Sequence, residues 1–225
     1  MLNNKQIALK FDLLAKVMEL HDENPFKIRS YANAYLSLRK LEGNLAEMPK
    51  DELSGLPGVG SAIADKIMEL LTSGEMKTLN KYLEITPSGI QEMLSIKGLG
   101  PKKVKQIWKE MGITSPGELL YACNENRLVN YKGFGPKIQE ELKDKIAYFM
   151  DSRGKFLYAH VHHIGEQLFE NFKAAFPFCR VNLCGDIRRC MPEVCGIELV
   201  TDMVSEAIDY DTIGLTVEND QLVFK

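Results

Sequence analysis

Long apolar runs are missing from this 225-residue chain, whose hydrophobic stretches last only a few residues, so no segment is expected to span a bilayer. Residues 1–30 contain acidic side chains and no cleavable apolar segment, so no secretory signal is expected and the cytoplasm is the expected compartment. Cysteine is scarce and odd in number: Cys123, Cys179, Cys184, Cys190 and Cys195 include no Cys-x-x-Cys pair. That excludes a zinc ribbon and argues against a disulfide framework. Charge of one sign is also not in excess, with 28 Lys and Arg against 31 Asp and Glu. At 45% apolar and 26% charged residues, collagen-like, coiled-coil and wholly disordered chains are excluded. The length allows one or two folded units.

The near-neutral total hides a gradient. Residues 1–153 carry 22 basic and 20 acidic side chains, whereas 154–225 carry 6 and 11. Within 97–109, Lys97, Lys102, Lys103, Lys105 and Lys109 occur with no acid among them. Such a ridge can attract phosphate whatever the total charge, because salt screens distant charges beyond about 10 Å. The texture changes in the same place. Ile7, Phe11, Leu14, Val17 and Met18 follow the helical period, and a second helix is expected to start at Pro25, bury Ile28, Tyr31, Tyr35 and Leu38, and stop near Gly43. Short helices punctuated by Gly and Pro follow. After a helix ending near Pro177, β-rich runs occupy Phe178–Leu183, Ile197–Val200, Thr212–Val217 and Leu222–Phe224. The expected fold is therefore mainly α over the first two-thirds, followed by a small α/β unit.

The strongest signal is an internal repeat. Leu56-Pro57-Gly58-Val59-Gly60, Ile96-Lys97-Gly98-Leu99-Gly100 and Tyr131-Lys132-Gly133-Phe134-Gly135 each frame an apolar residue between two glycines and open a helix. Ser61 is placed to cap the first helix, and Pro101 and Pro136 suit the first turns of the other two. Paired glycines let the backbone turn with positive φ and leave no side chain between peptide N–H groups and a ligand. The helix that follows presents unpaired N–H donors and the positive end of its dipole, which favours an anion. Lys102, Lys103 and Lys137 add charge for neighbouring phosphates. Nothing in the repeat reads a base edge, so binding is expected to be independent of sequence. The repeat is similar to the helix-hairpin-helix motif, which implies capture of a DNA backbone, with a monovalent cation (sodium or potassium) held by hairpin carbonyls.

One hairpin near 58, a close pair near 98 and 133, and then Gly185-Asp186-Ile187-Arg188-Arg189 in an α/β unit together resemble the family X DNA polymerases, the group of DNA polymerase beta and its bacterial relatives. The resemblance covers roughly residues 4 to 203. It implies a lyase-type domain over 1–85, a fingers-type domain over 86–153 and a partial, nucleotidyltransferase palm-like unit over 154–225. It also implies a monomer acting on DNA in repair, without a membrane. The family's Schiff-base lysine corresponds to Lys66, and its phosphate-binding Lys and Tyr correspond to Lys27 and Tyr31. A deoxyribose-phosphate lyase reaction needs such an amine to attack the sugar aldehyde, with β-elimination of the 3′ phosphate. Ala62 departs from the polymerase beta pattern, which has another lysine there.

The palm departs further. Where the family has Gly-Ser before its arginine pair, this chain has Gly185-Asp186, which puts a carboxylate where triphosphate oxygens belong. The two metal-holding aspartates fall on Gly196 and Glu198, so one carboxylate is deleted outright. The third lies on a later strand that these residues do not supply. Two-metal phosphoryl transfer needs bridging carboxylates close together. Glu198 and Asp202 share a strand face but stand about 13 Å apart along it. The polymerase centre is therefore expected to be inactive, with magnesium relevant only if it is not. The main expectation is sequence-independent binding of gapped, nicked or abasic duplex. A lyase using Lys66 is the alternative, and an active gap-filling polymerase the less favoured one. His160, His162 and His163 lack a carboxylate at ligand spacing, so no metal is expected there, and Trp108 and Phe134 fall at core spacing.

Overall fold

A computed structural model describes residues 2–204, 207–218 and 221–224. The chain divides into two compact units, residues 1–150 and 151–225. The first contains both the stretch 1–85 and nearly all of 86–153, which the sequence separates. Its helices are α1 (Asn4–Leu20), α2 (Pro25–Leu38), α3 (Lys50–Gly55), α4 (Ser61–Ser73), α5 (Lys77–Glu84), α6 (Ser88–Met93), α7 (Pro101–Met111), α8 (Pro116–Asn124) and α9 (Pro136–Asp151).

Helix α1 starts with a reciprocal cap, in which Asn3 accepts from the Gln6 amide at 2.9 Å and Gln6 Oε1 accepts from the Asn3 amide at 2.8 Å. It buries Ile7, Phe11, Leu14, Val17 and Met18, the stripe that the spacing predicts, and packs on α2, α5 and α7. Helix α2 begins at Pro25 as expected, with Asn24 accepting from the Phe26 amide. It ends at Leu38, short of Gly43. The Gly43 carbonyl accepts instead from Nδ2 of Asn4, so α1 fixes the chain leaving α2. No helix among the described residues is long and apolar enough to cross a membrane.

The second unit comprises β1 (Phe156–Leu157), α10 (Tyr158–Ala175), β2 (Val181–Cys184), α11 (Gly185–Arg188), β3 (Glu193–Val194), β4 (Glu198–Thr201), β5 (Leu215–Glu218) and β6 (Gln221–Phe224). The strands pair antiparallel as β1 with β3, β2 with β4 and β5 with β6. In the central pair the register runs from Val181 opposite Thr201 to Cys184 opposite Glu198. Its small core is Leu168, Phe172, Val181, Ile213 and Leu215. The strand expected from Phe178 begins only at Val181, and Phe178 is fully exposed. The Arg180 amide donates to Oδ1 of Asp202 at 3.0 Å, so a side chain takes the bond that a ladder would have used.

Candidate nucleic-acid interface

The three glycine-framed corners share one geometry. Gly58, Gly98 and Gly133 have φ of 77°, 96° and 91°, a left-handed conformation that a side chain disfavours. A turn closes each corner, with the amides of Val59, Leu99 and Phe134 donating to the carbonyls of Leu56, Ile96 and Tyr131 at 3.0, 3.0 and 3.1 Å. The residue between the glycines points inward each time: Val59, Leu99 and Phe134 are all buried. The six glycines themselves are exposed.

Helices α4, α7 and α9 start directly from the second glycine. The first helical bonds run from Ile63 to Gly60 (2.9 Å), Val104 to Gly100 (3.0 Å) and Gln139 to Gly135 (3.0 Å). Among the described residues the amides of Gly60, Ser61 and Ala62 donate to nothing, and likewise Gly100, Lys102 and Lys103, then Gly135, Lys137 and Ile138. Ser61 is the first helical residue rather than the cap. Gly60 occupies the cap position without a side chain to bond the helix amides, and that leaves them available to a ligand.

The corners differ in their neighbours. At Gly58 an added Cβ would stand 3.2 Å from Oγ of Ser37 and 3.6 Å from the Asn33 carbonyl, both on α2. At Gly98 it would stand 3.0 Å from Nζ of Lys145, contributed by α9. At Gly133 nothing among the described residues lies within 4 Å. Lys145 was not among the residues singled out by sequence, because its partner lies far away in the chain and no local spacing encodes that contact. Lys97, Lys102 and Lys137 are exposed and Lys103 is half-buried, with its Nζ 6.0 Å from the Phe134 ring centroid.

The residues matched to lyase chemistry sit on α2 and α4. Lys66 is half-buried, as its place beside the Ile63, Ile67 and Leu70 stripe predicts, and has no hydrogen-bond or ionic partner among the described residues. On the same helix Asp65 is paired with Lys50 at 2.5 Å, which raises the Lys50 ammonium above its ordinary pKa. Lys27 is exposed and lies 3.7 Å from Glu23. Tyr31 is in the core, its ring 6.2 Å from that of Phe11, and burial, with Glu23 second, pushes its hydroxyl pKa up. Glu23 accepts from the Tyr82 hydroxyl, which burial and this bond push up to about 12.

In the second unit the polar groups of the expected palm site are turned on one another. Oδ1 of Asp186 accepts from Arg189 at 2.7 Å and Oδ2 from the Cys195 amide at 3.3 Å, which together hold the carboxyl below its ordinary range. Gly185 has φ of 60°, and a Cβ there would fall 2.4 Å from the Glu198 carboxyl carbon. Arg188 is exposed. Gly196 and Glu198 instead border an apolar cavity of about 740 Å³ with Cys184, Ile197 and Leu199. This donor set does not suit a magnesium pair: Gly196 offers no side chain, Asp186 is bonded to Arg189 and the Cys195 amide, and Glu198 is left as one carboxylate.

Two family models match the chain: a helix-hairpin-helix domain over residues 2–76 and a SAM-like helix-hairpin-helix tandem over 90–147. The chain is similar to the DNA polymerase/3'-5' exonuclease PolX of Bacillus subtilis, with 25% identity over 199 residues, covering 88% of this chain and 35% of that protein. It is also similar to DNA polymerase lambda of Rattus norvegicus, 30% identical over 113 residues, covering 50% of this chain and 19% of that one. It therefore spans about a third or less of these relatives' length.

Proposed function

We infer that this family X DNA polymerase-like chain, with its helix-hairpin-helix domains, grips the sugar-phosphate backbone of gapped, nicked or abasic duplex in a repair setting, independently of base sequence. The observation that carries this reading is the same corner built three times, each with exposed glycines and, among the described residues, three unpartnered amides opening a helix. A helix N-terminus favours an anion by about 0.3–1 kcal/mol, so several corners with nearby ammonium groups are needed for useful affinity. The protein acts as a cytoplasmic monomer, and the corner carbonyls would hold any sodium or potassium ion, which would supply positive charge beside a phosphate.

The second unit serves this function as structure. The mutual engagement of Asp186, Arg189 and the Cys195 amide, and the glycine at position 196, favour an inactive polymerase centre. Primer extension with Mg²⁺ or Mn²⁺ on a gapped template tests this; incorporation above background would restore the gap-filling polymerase reading.

A second reading is favoured by one specific observation: Lys66 is half-buried and has no partner among the described residues. As a lyase nucleophile its neutral amine adds to the sugar aldehyde, water leaves to give the imine, and β-elimination expels the 3′ phosphate. Fluorescence anisotropy with gapped duplexes of unrelated sequence tests the main reading. Affinities equal within about threefold and falling steeply with salt are expected. No binding at low salt, or a strong sequence preference, overturns it.

A further inference from the structure

Side chains of the second and third hairpins reach across to one another, in both directions. Helix α9, which belongs to the third hairpin, sends Lys145 to the Gly98 corner of the second, where the ammonium would stand 3.0 Å from a Cβ on that glycine. Helix α7, which belongs to the second, sends Lys103 over the Phe134 ring of the third at 6.0 Å. It also sends Gln106, whose Nε2 donates to the Lys132 carbonyl beside Gly133 at 3.3 Å. Each corner is therefore furnished by the other's helix.

From this exchange we propose that Lys145 is a phosphate-contacting residue of the second hairpin, so that the two hairpins act as one composite grip. The proposal rests on the backbone-binding reading above and names a residue that the repeat itself does not contain. The Lys145 side chain is partly exposed, and its Glu141 neighbour one turn away lies 3.8 Å off. An exposed pair of that length holds its lysine weakly, so an approaching phosphate oxygen can take the ammonium. Around the same corner, Lys97 and Lys102 are exposed and the Gly100, Lys102 and Lys103 amides are unpartnered among the described residues. A phosphate seated at Gly98 thus meets backbone donors from one helix and a full charge from the other. At the third corner nothing among the described residues lies within 4 Å of a Cβ on Gly133, and the ammonium sent there by α7, that of Lys103, stands over the Phe134 ring at 6.0 Å rather than beside the glycine. The two corners are not equivalent despite their matching sequences.

The test is the salt dependence of gapped-duplex binding by the full chain and by K145Q, K145R and K143Q. Lys143 is on the same helix and controls for loss of one charge. Removing one phosphate contact lowers the log–log slope by about 0.9. Between 50 and 200 mM salt, K145Q is therefore expected to lose about three- to four-fold less affinity than the unaltered chain, after starting weaker at low salt. K145R is expected to keep the original slope, and K143Q to stay near it. If K145Q and K143Q give the same slope while the unaltered chain binds, the role of Lys145 is refuted and the backbone reading stands. If the unaltered chain shows no salt-dependent binding, both fall together.

Discussion

Oδ1 of Asp186 lies 2.7 Å from Nη2 of Arg189, three residues along the chain, so the carboxylate is answered by an arginine of its own short segment. The pairing, helped by the Cys195 amide, lowers the Asp186 pKa. Its contribution to the second unit is complete above the unfolded value of about 3.9 and is lost as pH falls through the lower folded value. An NMR titration should place the Asp186 midpoint below 3.8, and Arg189→Ala should move it up. An unchanged midpoint in Arg189→Ala would show that the arginine is not the cause.

His21, in the first unit, is a second group held below its ordinary pKa. Its Nε2 lies 2.8 Å from Oγ1 of Thr86, its ring packs edge-on against Trp108, and burial followed by Lys109 lowers its pKa, against the smaller pull of Asp22 and Glu23. A lowered folded pKa means that the unfolded chain takes up the proton first, so stability is complete above about 6.5 and declines as pH drops below it. Denaturation midpoints at pH 7.5 and 5.5 should differ in the unaltered chain, and that difference should shrink in His21→Asn. An undiminished difference would assign the acid sensitivity elsewhere.

The glycine corners and their pins should separate in stability measurements. Phe134 is completely buried, so Phe134→Ala is expected to cost about 3–5 kcal/mol. Gly133→Ala meets open space but keeps a φ of 91°, so only the backbone strain of about 1–2 kcal/mol applies. Gly98→Ala adds displacement of the Lys145 ammonium to the same strain and should be the worse of the two glycine changes. Urea denaturation curves check the order. Gly133→Ala exceeding Phe134→Ala would refute the pin-and-corner division.

Those corners were legible because they are local: a five-residue pattern encodes the positive φ, the inward apolar side chain and the bare helix start together. The α1 stripe and the Pro25 start were legible for the same reason. Ser61 misled, since a hydroxyl beside a helix start suggests a cap, whereas Gly60 already supplies the extended turn. Lys145 was out of reach, because its value comes from a packing of α9 on Gly98 that no spacing reports. In the second unit the strands fall near the expected runs, but composition alone suggests strand for Phe178 and Arg180, whereas the Asp202 side chain claims the Arg180 amide. That Gly196 offers no side chain is plain from sequence. The engagement of Asp186 with the Cys195 amide required the fold.

Lys66 should be dispensable for folding. It is half-buried and partnerless among the described residues, so Lys66→Ala is expected to shift stability by no more than about 0.5 kcal/mol. Borohydride trapping on a 5′-deoxyribose-phosphate duplex should give an adduct with the unaltered chain and none with Lys66→Ala if the lyase reading is right. An adduct that persists in Lys66→Ala would remove this lysine from the role.

The most direct measurement is an amide NMR titration of the chain with a short gapped duplex. The resonances of Gly60, Ser61, Ala62, Gly100, Lys102, Lys103, Gly135, Lys137 and Ile138 should move together, since these N–H groups have no acceptor among the described residues and are the donors assigned to phosphate. Saturable shifts elsewhere on the chain, with these amides unmoved, would contradict backbone capture by the glycine corners.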